Sequence, residues 1–201
     1  AHVRIEGNVS GQVAIGNNIL QIGDVNGGIV NVMAPGQEVL PRPRPTPVDL
    51  RPRPFPDILD REQETDEATK AITSATPVEF RASAGMGKTS LLRHLAHHPT
   101  ATSLPDGVVY LLGRRQPLED LLQSLHDAFY EYDVPLKPTE VQLRHGLQST
   151  QALILVDDVG LSREDTQTLI DAAPKCVFVL ASQDRRLWGE GPSNAVPGPP
   201  L

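Results

Sequence analysis

Ala82-Ser83-Ala84-Gly85-Met86-Gly87-Lys88-Thr89 is the stretch that decides the fold. It fits the phosphate-loop pattern G-x-x-x-x-G-K-[ST], with Ala82 at the first position, where a small residue suffices. Gly85 and Gly87 let the backbone turn so that successive N–H groups converge on one anion. The helix that follows adds the positive end of its dipole. Lys88 places an ammonium against β- and γ-phosphates, and Thr89 offers a hydroxyl to Mg²⁺. The candidate cradle is therefore Ser83, Ala84, Gly85, Met86, Gly87, Lys88, Thr89 and Ser90, with ATP or ADP and Mg²⁺ as the cofactors it suits.

Working outward, the pattern alternates between strand and helix. Residues 77–81 read as a strand, and Lys88–His97 as a helix with Leu91, Leu92 and Leu95 on one face. Residues 108–112 are a strand, and 118–130 a helix carrying Leu121, Leu122, Leu125 and Phe129. A shorter helix spans 139–148, and a helix capped by Ser162 runs to about Ala173. The continuous apolar runs 152–156 and 176–181 are strands buried on both faces. Strands separated by helices predict an α/β fold, a parallel sheet flanked by helices with right-handed crossovers. The run Leu153-Ile154-Leu155-Val156 ends in Asp157 and Asp158. At the C-terminal end of such a strand, Asp157 suits Mg²⁺ held through water. Asp158, the candidate catalytic residue, either positions or deprotonates an attacking water or only tunes the field.

Composition narrows the function classes. The 201 residues carry a formal net charge of −7, which excludes a general nucleic-acid binder. No apolar run approaches the roughly 18–20 residues of a membrane span. The N-terminus has no basic stretch leading into an apolar one, so a signal peptide is not expected. A single cysteine, Cys176, points to a reducing, cytoplasmic setting. The chain does not begin with Met, as expected of a processed or partial product.

Three segments differ in composition. Residues 57–201 hold 13 basic and 21 acidic side chains, whereas residues 1–56 hold 5 and 4. Residues 35–56 contain eight of the nineteen prolines, interleaved with Arg42, Arg44, Arg51 and Arg53, and read as an extended polyproline-type linker. Residues 1–34 are rich in Gly, Asn, Val and Ile, with three short apolar runs at 13–17, 20–24 and 29–32. So little apolar surface, at roughly 25 cal/mol per Å², does not offset about 1–2 kcal/mol of ordering entropy per residue. Alone, this segment is expected to be marginal or disordered; stacked in register with other copies, it pairs every backbone group.

The phosphate-loop and Asp157 motifs together resemble the NB-ARC branch of the STAND signal-transduction ATPases. Ile58-Leu59-Asp60-Arg61-Glu62 is similar to that family's entry motif, with Asp60 at its usual glycine, which implies that Leu59 and Arg61 lie against the nucleotide. Residues 177–186 are similar to its sensor strand. Gln183 stands where the family carries the arginine that reads the γ-phosphate, which implies an ATPase that is weak at most; Arg185 and Arg186 are the alternative cations. The resemblance covers about residues 57–190, and so implies a nucleotide-binding domain in 57–201 without the family's later helical and winged-helix parts. It also implies a P-loop NTPase of ASCE-type strand order, with the sensor strand between the phosphate-loop strand and the Asp157 strand.

Ile19-Leu20-Gln21-Ile22-Gly23-Asp24-Val25-Asn26 resembles the RIP homotypic interaction motif and the amyloid signalling motifs of fungal and bacterial NOD-like receptors. That implies self-association through residues 11–32 and an effector protein carrying a matching motif. A small β module and a disordered tail are the alternatives for residues 1–34. For the whole chain the expectation is a bacterial, cytoplasmic, nucleotide-controlled switch; the alternative is an active ATPase or other P-loop enzyme whose β segment is only structural. His94, His97 and His98 lack companions for a metal site, Cys176 reads as core, and Trp188 as packing at the domain edge.

Overall fold

The computed structural model describes residues 41–55, 60–133, 138–188 and 193–196, together with the backbone of four strands within residues 1–40. The chain divides into two compact units, Ala1–Leu40 and Pro41–Leu201.

In the first unit, β1 (Val3–Glu6) pairs antiparallel with β4 (Ile29–Val32), and β2 (Val13–Ile15) with β3 (Leu20–Ile22). The register sets Val3 opposite Val32 and Ala14 opposite Gln21. β1 stands beside the three apolar runs as a fourth element, because period-two alternation over four residues is a weak signal on its own. The remaining residues of the 11–32 segment lie outside the described residues.

The second unit begins with β5 (Arg42–Pro43) and β6 (Val48–Leu50), followed by α1 (Glu62–Thr73), β7 (Val78–Arg81) and α2 (Lys88–His97). A 3-10 turn (Pro99–Ser103) leads to β8 (Gly107–Leu112) and α3 (Leu118–Phe129). Then come β9 (Tyr130–Glu131), α4 (Glu140–Leu147), β10 (Leu153–Asp157), α5 (Arg163–Ala172), β11 (Val177–Ser182) and β12 (Ser193–Ala195). Six strands form one sheet in the order β12-β7-β11-β10-β8-β6, every neighbouring pair parallel. The sensor-like strand β11 thus lies between β7 and β10, the order the resemblance implies.

Helices cover both faces, and side-chain alternation sorts the core. Val109, Ile154, Val156, Phe178 and Leu180 pack with α3, α4 and α5. Val78, Phe80, Val108, Leu153, Leu155, Val177 and Val179 pack with α1 and α2. Because both faces are covered, β10 and β11 are buried along their whole length, as their unbroken apolar runs require. Local caps end the helices where the sequence places them. Thr139 and Gln142 form a reciprocal capping box on α4, and the Ser162 hydroxyl accepts from the Asp165 N–H at the start of α5.

The proline-rich stretch differs from the free linker expected across 35–56. Arg42 and Pro43 pair antiparallel with Glu131 and Tyr130 in β9, and the Arg44 N–H donates to the Phe129 carbonyl at 2.7 Å. Val48–Leu50 forms the outer strand of the main sheet, in parallel register with Gly107–Val109. The physical reason lies in the spacing. With proline at every second position, the missing N–H groups all fall on one edge, and the arginine N–H groups keep the other edge competent for pairing. Arg42 meets Asp133 at 2.7 Å, and Arg44 lies 3.7 Å from Glu131, so the basic stretch rests on an acidic part of the unit. Gly107 (φ 101°) allows the close approach of β6, because a Cβ there would collide with the Val48 carbonyl. Residues 56–59, and with them Leu59, lie outside the described residues.

Candidate functional site

The phosphate loop leaves the C-terminal end of β7 and enters α2. In a parallel sheet, the C-terminal ends of β7, β11 and β10 share one edge, so residues 82–90, Gln183 and Asp157–Asp158 all belong to it. Gly85 and Gly87 take φ of 84° and 82°, the left-handed region that costs glycine nothing. Gly87 is the N-cap of α2. Among the described residues, no backbone N–H from Ser83 to Ser90 donates to another backbone group; the first such bond is from Leu91 to the Gly87 carbonyl. Ser83, Ala84, Gly85 and Thr89 are exposed, and Met86, Gly87 and Ser90 are half-buried.

Lys88 is buried, and its ammonium donates to the Ala82 and Ser83 carbonyls at 2.6 and 2.9 Å. An ammonium has three donors, so the two carbonyls fix its position and leave one N–H for an anion. Arg61, at the N-cap of α1, donates to the Met86 carbonyl at 3.2 Å and to the Glu64 carboxylate at 2.9 Å. Arg61 thus touches the 82–90 loop from the start of α1. Asp60 beside it has φ of 55°, a conformation aspartate tolerates better than most residues.

Asp157 is 4% exposed at the end of β10, and its Oδ2 accepts from the Tyr110 hydroxyl at 2.7 Å. Among the described residues, Oδ1 has no hydrogen-bond partner. Asp158 takes φ of 52°, and its half-buried carboxylate lies 3.6 Å from the exposed Arg114 guanidinium. Among the described residues, no hydrogen bond or ion pair joins Asp157 or Asp158 to residues 82–90. Gln183 is exposed just beyond β11; the loop touches the end of that strand through the Ala82 N–H, which donates to the Ser182 carbonyl at 3.3 Å.

Two residues of this edge escape a sequence reading. Glu79, fully buried in the middle of β7, accepts from the Ser182 hydroxyl at 2.7 Å and from the Arg186 and Leu187 N–H groups at 2.8 and 3.4 Å. It ties the turn that carries Gln183, Arg185 and Arg186 to the phosphate-loop strand. A charged residue between apolar Val78 and Phe80 is the available signal. Tyr110 has no such signal, because an aromatic residue in a strand reads as packing. Burial, and then its bond to Asp157, push the Tyr110 hydroxyl far above the usual tyrosine range, so it stays a proton donor to the carboxylate.

The His94 and His98 rings lie 6.1 Å apart, and among the described residues no cluster of His, Cys, Asp or Glu could hold a metal. Cys176 is buried and its thiol is pushed up to about 11 by burial. Trp188 is exposed, with the Arg163 guanidinium 5.9 Å from its ring. No helix among the described residues is long and apolar enough to cross a membrane. The chain matches no protein-family model and no curated protein.

Proposed function

We propose that this chain is an ATP/ADP-binding signalling switch of the NB-ARC/STAND type, built on a P-loop NTPase core. Nucleotide state controls oligomerisation, and oligomers bring the N-terminal β segments together to template a downstream effector. The observation that carries the reading is the form of the 82–90 loop. Two left-handed glycines, unengaged N–H groups and a lysine pinned by the loop's own carbonyls make a cradle of the charge and curvature a diphosphate needs.

In this mechanism the N–H groups of residues 84–89 and the Lys88 ammonium bind the phosphate oxygens. Thr89, through its hydroxyl, and Asp157, through water, would hold Mg²⁺, which would supply charge neutralisation at the phosphates. Arg61 stiffens the loop from outside through the Met86 carbonyl. Asp158 orients water or sets the local field. Gln183 gives no cation to a γ-phosphate, which suits a switch that turns over slowly.

The rival reading is an active ATPase with a passive β unit. It is favoured by the antiparallel pairing of β1 with β4 and β2 with β3, which is what a small self-contained β module also forms. Calorimetry tests the shared core of both readings. The chain is expected to bind ADP, and Lys88→Ala to weaken that binding at least about 10-fold, the loss of one charge-assisted bond worth about 1.5–3 kcal/mol. Equal affinity in the variant would overturn the loop assignment, and turnover above about 1 s⁻¹ would favour the enzyme.

A further inference from the structure

Asp157, buried at the strand end, keeps one carboxylate oxygen for Tyr110 and the other without a described partner. The sheet register explains the meeting. Tyr110 stands opposite Leu155, and Asp157 is two residues further along the same face of β10, the face covered by α1 and α2. The Arg93 guanidinium, on α2, acts on the same phenol electrostatically, opposing the larger effects of burial and of Asp157.

From this geometry we propose that Tyr110 is a positioning residue for metal binding: its hydroxyl fixes the Asp157 carboxylate so that Oδ1 faces the ion while Oδ2 is held. The physical reason is preorganisation. A carboxylate on a flexible χ2 must be ordered when the metal arrives, and a buried one without a donor is poorly solvated in its charged form. The hydroxyl removes both costs beforehand. None of this is visible in the sequence, where Tyr110 is one residue of an apolar strand.

The inference rests on the nucleotide reading above, and the test keeps the two apart. ADP affinity is measured by calorimetry with and without Mg²⁺ for the native chain and for Tyr110→Phe, Asp157→Asn, their double variant and Lys88→Ala. The expected result is that Mg²⁺ tightens ADP binding to the native chain and that Asp157→Asn abolishes the gain. Tyr110→Phe should keep the Mg²⁺-free affinity and lose about 10-fold of the gain, the lower end of what outer partners of metal ligands contribute. The double variant should be no worse than Asp157→Asn, because the hydroxyl acts through that carboxylate. A Tyr110→Phe chain with the native Mg²⁺ gain overturns the inference, as does an equal loss with and without the ion, which marks a purely structural phenol. No Mg²⁺ gain in the native chain, or a gain that survives in Asp157→Asn, also overturns it while leaving nucleotide binding intact. Failure of the native chain to bind ADP, or of Lys88→Ala to weaken binding, removes the reading beneath it.

Discussion

Residues 41–201 and residues 1–40 pair their backbones in opposite ways. In the larger unit, β10 and β11 have strand neighbours on both sides and helices on both faces, so their N–H groups, carbonyls and apolar side chains are all satisfied within one chain. In the smaller unit, four strands of three or four residues form two separate two-stranded pairs. Every strand of a two-stranded pair has an open edge, and isolated hairpins are marginal in water. The difference teaches where each unit stops. Helices cover both faces of the larger sheet, whereas each described strand of the smaller unit pairs on one side only.

The largest effect separating the two units is a cavity. Phe178 is fully buried between β10, β11 and the α3–α5 layer. Phe178→Ala is expected to cost about 3–5 kcal/mol in urea unfolding of the larger unit. Hydrogen exchange in residues 1–40 should not change; parallel loss of protection there would show that the two units fold as one and break the contrast.

Next comes Gln21, opposite Ala14 in the β2–β3 pair. Copies stacked in register place position 21 directly above itself, so Gln21→Asp piles like charges at each step. Fibre formation by the full chain, followed by dye binding and X-ray fibre spacing, should slow at least about 10-fold, while ADP affinity stays at the native value. The 10-fold figure corresponds to about 1.4 kcal/mol at the nucleation step, of the order of one unscreened like-charge contact. Unchanged kinetics would place the stacking core elsewhere or remove it.

The smallest effect is a pH dependence confined to the larger unit. His126 is fully buried, its ring 4.8 Å from that of Tyr130 and 5.8 Å from that of Tyr132, with neither ring nitrogen hydrogen-bonded. Burial holds its pKa below the ordinary value of 6.5, against a smaller opposing pull from Asp127. The unfolded chain therefore binds the proton more readily. Stability present above 6.5 is lost as pH falls through that value toward the folded one. Between pH 7.5 and 5.5 the unfolding free energy should drop by about 1 kcal/mol more in the native chain than in His126→Phe. Equal slopes would show that the folded imidazole titrates like the unfolded one, with burial not lowering its pKa.

Much of the larger unit is legible because its signals are local. A Gly-x-Gly-Lys-Thr turn, four apolar residues before two carboxylates, and Ser or Thr before a helix each specify their own backbone with few distant contacts. The proline-rich stretch is less legible for a related reason. Proline spacing reports the loss of N–H groups but not which edge keeps them, and pairing with β9 and β8 depends on partners about 60–90 residues away. Val3–Glu6 was missed because its partner strand lies at the other end of the unit. Leu59 and most of the 11–32 segment fall outside the described residues, so their expected roles stand as proposals.

The sequence alone determined that strands alternate with helices, that glycines at 85 and 87 let the chain turn between β7 and α2, and that two carboxylates stand at the end of a strand buried on both faces. These are consequences of periodicity, glycine conformational freedom and the chemistry of single side chains, all readable along a line. Only the tertiary structure decided that β11 lies between β7 and β10, that Glu79 ties the post-sensor turn to the loop strand, and that Tyr110 meets Asp157. Those are decisions of strand order and register, set by which faces pack best across the whole sheet, and no local pattern encodes them.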